Sequence, residues 1–180
     1  MTKANMVDKN CKSTVYITPE RIMKPVRDYF GGQIVLAPAT EPSNPQNAKE
    51  FCTGAPESDG LAISWVNGTF INPPYGKLLR PFLEKIHEEA EDGHEIIALL
   101  PASRWEQFYW QRDVFNPNLT GLCFVRKRVN FLRPTGEVAQ GNPHGSIVCL
   151  YNGMWSPFRK HFGDIGFCTR FTNIEWRVKD

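Results

Sequence analysis

The chain is 180 residues long, with 41% hydrophobic and 22% charged side chains, close to the globular average, which excludes disorder or low complexity as its main description. That length suits one domain and leaves no room for a second full one. With 21 basic and 19 acidic residues the formal net charge is only +2, so a polyanionic partner has to be met by a local patch.

Residues 1–15 are mostly polar and are expected to form a flexible N-terminus ahead of a single domain at 16–180. No signal-peptide run is visible, and no stretch approaches the ~18 consecutive apolar residues of a membrane span. A cytoplasmic protein without membrane contact is expected. Cys11, Cys52, Cys123, Cys149 and Cys168 contain no CxxC pair, and His87, His94, His144 and His161 show no metal-binding spacing. They read as mostly buried thiols and ordinary histidines, with no metal site.

Thr18-Pro19-Glu20 predicts a helix capped by Thr18, with Pro19 at its first position and Pro25 kinking it or ending it early. Gly31-Gly32 stops it. Residues 33–37 form a short apolar run that predicts a buried strand, and residues 41–59 a long Pro/Asn/Ser/Gly-rich surface loop with one short helical turn. Residues 69–71 read as a strand, 72–76 as a turn and 81–92 as a helix burying Phe82, Leu83 and Ile86. Gly93 suits the position after its end. A near-continuous apolar strand at 95–100 completes a strand, helix, strand unit, which favours parallel pairing and an α/β class.

Ser103-Arg104-Trp105-Glu106 has the form of a capping box and predicts a helix to about residue 115. Trp105, Phe108 and Tyr109 share its core-facing side. Trp110 falls off that side, as a stacking or wedge residue would. Segments 121–131, 145–151 and 166–178 read as a β-rich C-terminal part.

The chemistry-bearing motif is Asn72-Pro73-Pro74-Tyr75, at the carboxyl end of the strand at 69–71, where α/β sheets bind ligands. A conjugated exocyclic amine is a poor nucleophile, because its lone pair is delocalised. The Asn72 side-chain oxygen and the Pro73 carbonyl can both accept hydrogen bonds from one NH2 group and localise that pair. The prolines fix φ and remove competing N–H donors. Tyr75 offers a ring on which a flipped, planar base stacks. The electrophile implied is the sulfonium methyl of S-adenosylmethionine. The same four letters serve guanine-amino and glutamine-amide methylation, so they define the reaction more firmly than the substrate.

Further context resembles a family. Tyr16-Ile17-Thr18-Pro19-Glu20, Leu36-Ala37-Pro38-Ala39-Thr40, Asn47-Ala48, Asp59-Gly60-Leu61 with Trp65, residues 70–76, residues 128–131 and the closing Tyr151, Phe158, Phe162 and Gly166 resemble the compact phage DNA adenine methyltransferases of the Dam type. The resemblance implies a compact Rossmann-like, S-adenosylmethionine-dependent fold, N6-methyladenine in DNA as product, and a bacterial host cytoplasm as location. It also implies that Thr18 and Pro19 touch the methionine end of the cofactor. Residues 36–40, including Ala37, Pro38, Ala39 and Thr40, correspond to the first cofactor strand and its loop, and Asp59 to the carboxylate that accepts from the cofactor's adenine amine. Asp59 also suits a plain Asp-Gly turn. The resembling sequences carry an acid where this chain has Ala37, so Ala37→Asp is expected to raise methyl transfer.

DNA is expected to meet a groove lined by Lys77, Arg80, Arg104, Arg112, Arg126, Arg128 and Arg133, with Arg126 and Arg128 on one strand face and Trp110 stacking. Residues 101–145 are the recognition region, where Asn130, Asn142 and His144 are positioned to read bases. Two other readings stay open. One is a methyltransferase acting on RNA or a protein amide, and the other a weakened DNA-binding derivative, for which Ala37 is the argument. Target sequence and oligomeric state are not encoded legibly.

Overall fold

In a computed structural model of the chain, the described residues are 16–54, 56, 58–139 and 144–172. Cys11, Asn142, the N-terminal segment 1–15 and the end of the segment 166–178 lie outside them. Seven strands form one sheet: β1 (Ile34–Ala37), β2 (Ala48–Phe51), β3 (Thr69–Ile71), β4 (Ile96–Pro101), β5 (Leu119–Val125), β6 (Ser146–Tyr151) and β7 (Gly166–Arg170), in the order β2-β1-β3-β4-β6-β5-β7. β2, β1, β3 and β4 are mutually parallel, while β6 pairs antiparallel with β4 and β5, and β7 antiparallel with β5. The fold is therefore mixed α/β.

Alternation along the central strands builds a core on each face. Ile97, Leu99, Val148 and Leu150 pack with Ile22, Met23, Val26, Phe158 and Phe162 from α1 (Glu20–Tyr29) and α3 (Trp155–Phe162). Their neighbours Ile96, Ala98, Leu100, Ile147, Cys149 and Tyr151 face the other way, onto Phe82, Leu83, Ile86 and Ala90 of α2 (Leu79–Glu91). Every residue of β4 and β6 is buried, as a two-sided α/β sheet requires of its middle strands. Full burial of each large apolar side chain contributes about 1.5–3 kcal/mol.

Several elements differ from the sequence expectation. α1 runs through Pro25 to Tyr29, with Ile22, Met23, Pro25 and Val26 all buried. Packing of that face outweighs the interior proline, which costs ~3 kcal/mol or more in an isolated helix. The segment 41–59 contains strand β2, and α3 fills the connection between the β segments read at 145–151 and 166–178. β2 was illegible because three of its four residues are exposed at the sheet edge, leaving no apolar run. The helix expected at 103–115 shrinks to a π-helical turn at Trp110–Val114. Arg104 has φ +66, a left-handed conformation that no helix accepts, so the capping box does not form. Trp110 and Val114 then define the buried side. Trp110 is 1% exposed while Trp105 and Phe108 are 44% and 50% exposed, the reverse of the expected assignment. β5 ends at Val125, so Arg126 and Arg128 lie beyond the strand, around Lys127 at φ +63, and share no strand face.

Candidate active site

The carboxyl ends of β2, β1 and β3 open onto one cavity of about 820 Å³. Its wall includes Asn72, Pro73, Pro74 and Tyr75 from the turn after β3, Pro38, Ala39 and Thr40 from the exit of β1, and Thr18, Asp59 and Lys77. These residues are scattered along the chain, and parallel pairing of β1 with β2 and β3 brings their ends to one edge.

Thr18 does not cap α1. The helix starts after Pro19, whose carbonyl accepts from the Ile22 and Met23 amides. The Thr18 hydroxyl instead accepts a hydrogen bond from Asn72 Nδ2 at 3.2 Å, and Thr18 is 5% exposed. With Nδ2 on Thr18, the oxygen end of the Asn72 amide is turned from that contact. Asn72 Oδ1 is buried and has no hydrogen-bond partner among the described residues. Thr40 Oγ1 and Gln46 Oε1, on the same wall, are likewise buried and unpartnered. An unsatisfied buried polar group costs about 1–3 kcal/mol, and three of the six among the described residues lie on this wall, where a polar ligand or water would satisfy them.

Tyr75 lies edge-on to Phe131, with ring centroids 6.5 Å apart and an interplanar angle of 86°. Phe131 in turn meets Tyr16 at 6.1 Å, and all three line the cavity. Burial pushes the Tyr75 phenol up to about 12, so it is neutral at physiological pH. The strip carrying Tyr16 and Thr18 is held by two backbone bonds between Ile17 and Leu132, at 2.7 and 2.9 Å.

Asp59 serves as a turn residue and as a wall residue at once. Its Oδ1 accepts from the Leu61 amide at 2.9 Å. The following Gly60 packs so tightly that a Cβ there would sit 1.8 Å from the Pro38 carbonyl oxygen. Behind it, Trp65 Nε1 donates to the Gly60 carbonyl at 2.8 Å, and Glu89 accepts the Trp65 amide at 3.0 Å. The loop at 59–61 is thereby anchored to α2.

A family model for the DNA N-6-adenine-methyltransferases (Dam) matches residues 6–170. The chain belongs to that family. No curated protein sequence matches it. The match spans the whole described cavity, so the resemblance carried by residues 16 to 166 is that of a family member.

Two residues expected at the family's cofactor site stand off the wall. Ala37 is 0% exposed within the core beside Ile22, Met23 and Phe70. Pro19 only opens α1. An Asp at position 37 would place a carboxylate among these apolar side chains, where its charge needs a partner.

The expected DNA residues divide. Trp110 is packed in the core and cannot stack on a base in this conformation. Arg80 is paired to Glu84 at 3.1 Å and lies over the Tyr109 ring. Arg112 is held by Asp113 and Glu84. Lys77, Arg104, Arg126, Arg128 and Arg133 are exposed, and none forms an ion pair among the described residues. Arg126, Arg128 and Arg133 flank Phe131 in sequence, so they lead directly to the cavity wall. Asn130 is exposed on the same stretch. The residues that sequence reasoning missed are Gln46, Phe131 and Tyr16. Phe131 had a signal in the block 128–131, whereas Gln46 had only the unusual length of its loop.

Among the described residues no group of His, Cys, Asp or Glu is arranged to hold a metal ion, and no helix is long and apolar enough to cross a membrane.

Proposed function

We propose that this protein is an S-adenosylmethionine-dependent DNA adenine N6-methyltransferase with a compact Rossmann-like fold, and that it acts on an adenine turned out of the base stack. One observation carries the reading. Asn72 Oδ1 is a buried acceptor without a donor, its amide is oriented by Thr18, and it sits in the family's NPPY turn beside a neutral tyrosine ring.

The cavity residues fit such a cofactor. Thr40, Asp59 and the backbone at Pro38 and Ala39 would hold it, and the orphaned Thr40 hydroxyl is one of the groups it would satisfy. S-adenosylmethionine would supply an electrophilic methyl group. The chain's own residues then act on the amine. Asn72 Oδ1 and the Pro73 carbonyl accept its two N–H bonds, drawing the nitrogen lone pair out of conjugation as attack proceeds. Tyr75, backed edge-on by the buried Phe131, presents aromatic surface to the base. No carboxylate is needed before attack, because the nitrogen becomes acidic only after methylation and then loses its proton to water.

Incubation with S-adenosylmethionine and DNA, RNA or protein, followed by digestion and mass spectrometry, tests the reading. N6-methyladenine from DNA is expected, and Asn72→Ala should lower transfer about 10²–10³-fold with unchanged melting temperature. Product from RNA or protein alone would redirect the substrate assignment. Full activity of Asn72→Ala would refute the chemistry.

A further inference from the structure

Gln46 is 5% exposed, lies on the cavity wall, and takes no part in the chemistry above. Its Nε2 donates to the Ala39 carbonyl at 3.5 Å, a long contact that turns the other end of the amide away from the backbone. Its Oε1 is buried and has no partner among the described residues. The loop that carries it is built to keep it there. Asn44 donates from Nδ2 to the Ala48 carbonyl at 2.8 Å and accepts the Ala48 amide at 3.1 Å. The Asn44 and Asn47 amides close turns onto Glu41 and Asn44. Asn44 and Asn47 adopt φ values of 47° and 52°, which asparagine tolerates better than most residues. With its backbone satisfied internally, the loop presents Gln46 inward as a fixed feature.

We infer that Gln46 is a cofactor-binding residue whose carboxamide oxygen accepts a hydrogen bond from a ribose hydroxyl of the bound nucleoside, with Thr40, next to Ala39 in the chain, as the second contact. This rests on the cofactor assignment made above. A carboxamide oxygen only accepts, so its complement is a donor. The donors on S-adenosylmethionine are its ammonium group, its two ribose hydroxyls and its adenine amine. Asp59 suits the adenine amine. An ammonium group calls for a carboxylate, which the same wall supplies in Glu41. Two neutral groups, the Gln46 amide and the Thr40 hydroxyl, match the two neutral hydroxyls that remain. Gln46 and Thr40 together then recognise the ribose of the nucleoside.

The test is calorimetric titration of the full-length protein and its Gln46→Met variant with S-adenosylhomocysteine and with its 2′,3′-dideoxy analogue. Methionine keeps the length of the side chain and loses the acceptor together with the long donor contact to the Ala39 carbonyl. The variant should bind S-adenosylhomocysteine about tenfold more weakly than wild type, with a melting temperature little changed, because an orphaned polar atom and one long hydrogen bond are removed together. Both proteins should bind the dideoxy analogue equally. Unchanged affinity for S-adenosylhomocysteine overturns the inference, as does an equal loss on both compounds or a clear fall in melting temperature. Wild type alone supplies an arm that needs no variant: if it binds the two compounds equally, the inference fails. If wild type binds neither, the cofactor assignment itself fails, which is a separate result.

Discussion

For the chemistry proposed above, Asn72 is useful in only one of its two amide orientations. With Nδ2 toward Thr18 its oxygen is left to accept; reversed, it would offer a second donor to an amine that is itself a donor. Thr18→Val keeps the shape of the side chain and removes the hydrogen-bond partner of Nδ2. It should reduce kcat about tenfold while leaving S-adenosylhomocysteine affinity and KM for DNA nearly unchanged, a split seen in steady-state kinetics combined with calorimetry. Tyr75 gives a second residue-level expectation. Its phenol ionises near 10 when unfolded and is pushed to about 12 by burial in the fold. Between those values the unfolded chain releases the proton first, so folding stability is complete below pH 10 and falls as pH rises toward 12. Tyr75→Phe should flatten that decline in alkaline urea titrations, and Tyr75→Phe should keep most methyl transfer because the ring face is retained. The motif 72–75 was legible in the sequence because its four residues are contiguous. The Thr18 to Asn72 bond was not, since Thr18 in its local context looks like a helix cap. Trp110 was misplaced because one left-handed residue, Arg104, resets the helical phase on which the assignment depended.

At the scale of elements, the parallel unit of β3, α2 and β4 was readable, with Gly93 at φ +90 closing the helix as expected. The edge strand β2 and the short α3 were not, since each draws its stability from neighbours rather than from its own pattern. α2 does more than cover the sheet. Glu89, 2% exposed, receives Lys85 at 2.6 Å, His94 at 2.8 Å and the Trp65 amide. Burial alone would raise its carboxyl, but these partners together hold it below the ordinary glutamate range. The stabilisation it lends is present above pH 4.5 and is lost as pH falls through the depressed folded value. Glu89→Gln should therefore shrink the acid-side loss of stability in melting experiments below pH 4.5. Trp65→Phe removes the donor from the buried Gly60 carbonyl, and is expected to cost about 1–3 kcal/mol in urea unfolding and to weaken S-adenosylhomocysteine binding through the loop at 59–61.

For the molecule as a whole, the near-neutral charge leads to the expectation that DNA is met locally, and Arg126, Arg128 and Arg133 are exposed cations on the chain that follows β5. Arg80 has a partner that was legible in sequence, Glu84 four residues on along α2, and Arg112 has its neighbour Asp113; only the Arg112 to Glu84 pair depends on the packing of α2 against the π-helical turn. If Arg126 and Arg128 each contact a phosphate, the double variant Arg126→Ala/Arg128→Ala should reduce the slope of log affinity against log salt by about 1.8, at roughly 0.9 per contact. A slope unchanged from wild type would remove both residues from the DNA surface.

The two bonds between Ile17 and Leu132 have a consequence in time. Synthesis proceeds from the N-terminus, and early segments leave the ribosome first. Thr18 therefore emerges early, yet the backbone that steadies its strip is translated only after β5. Asn72 can have its neighbours from α2 and β4 already in place and still lack a fixed amide orientation. The catalytic turn is shaped early and armed late, so chains interrupted before residue 132 should carry the motif without its activity.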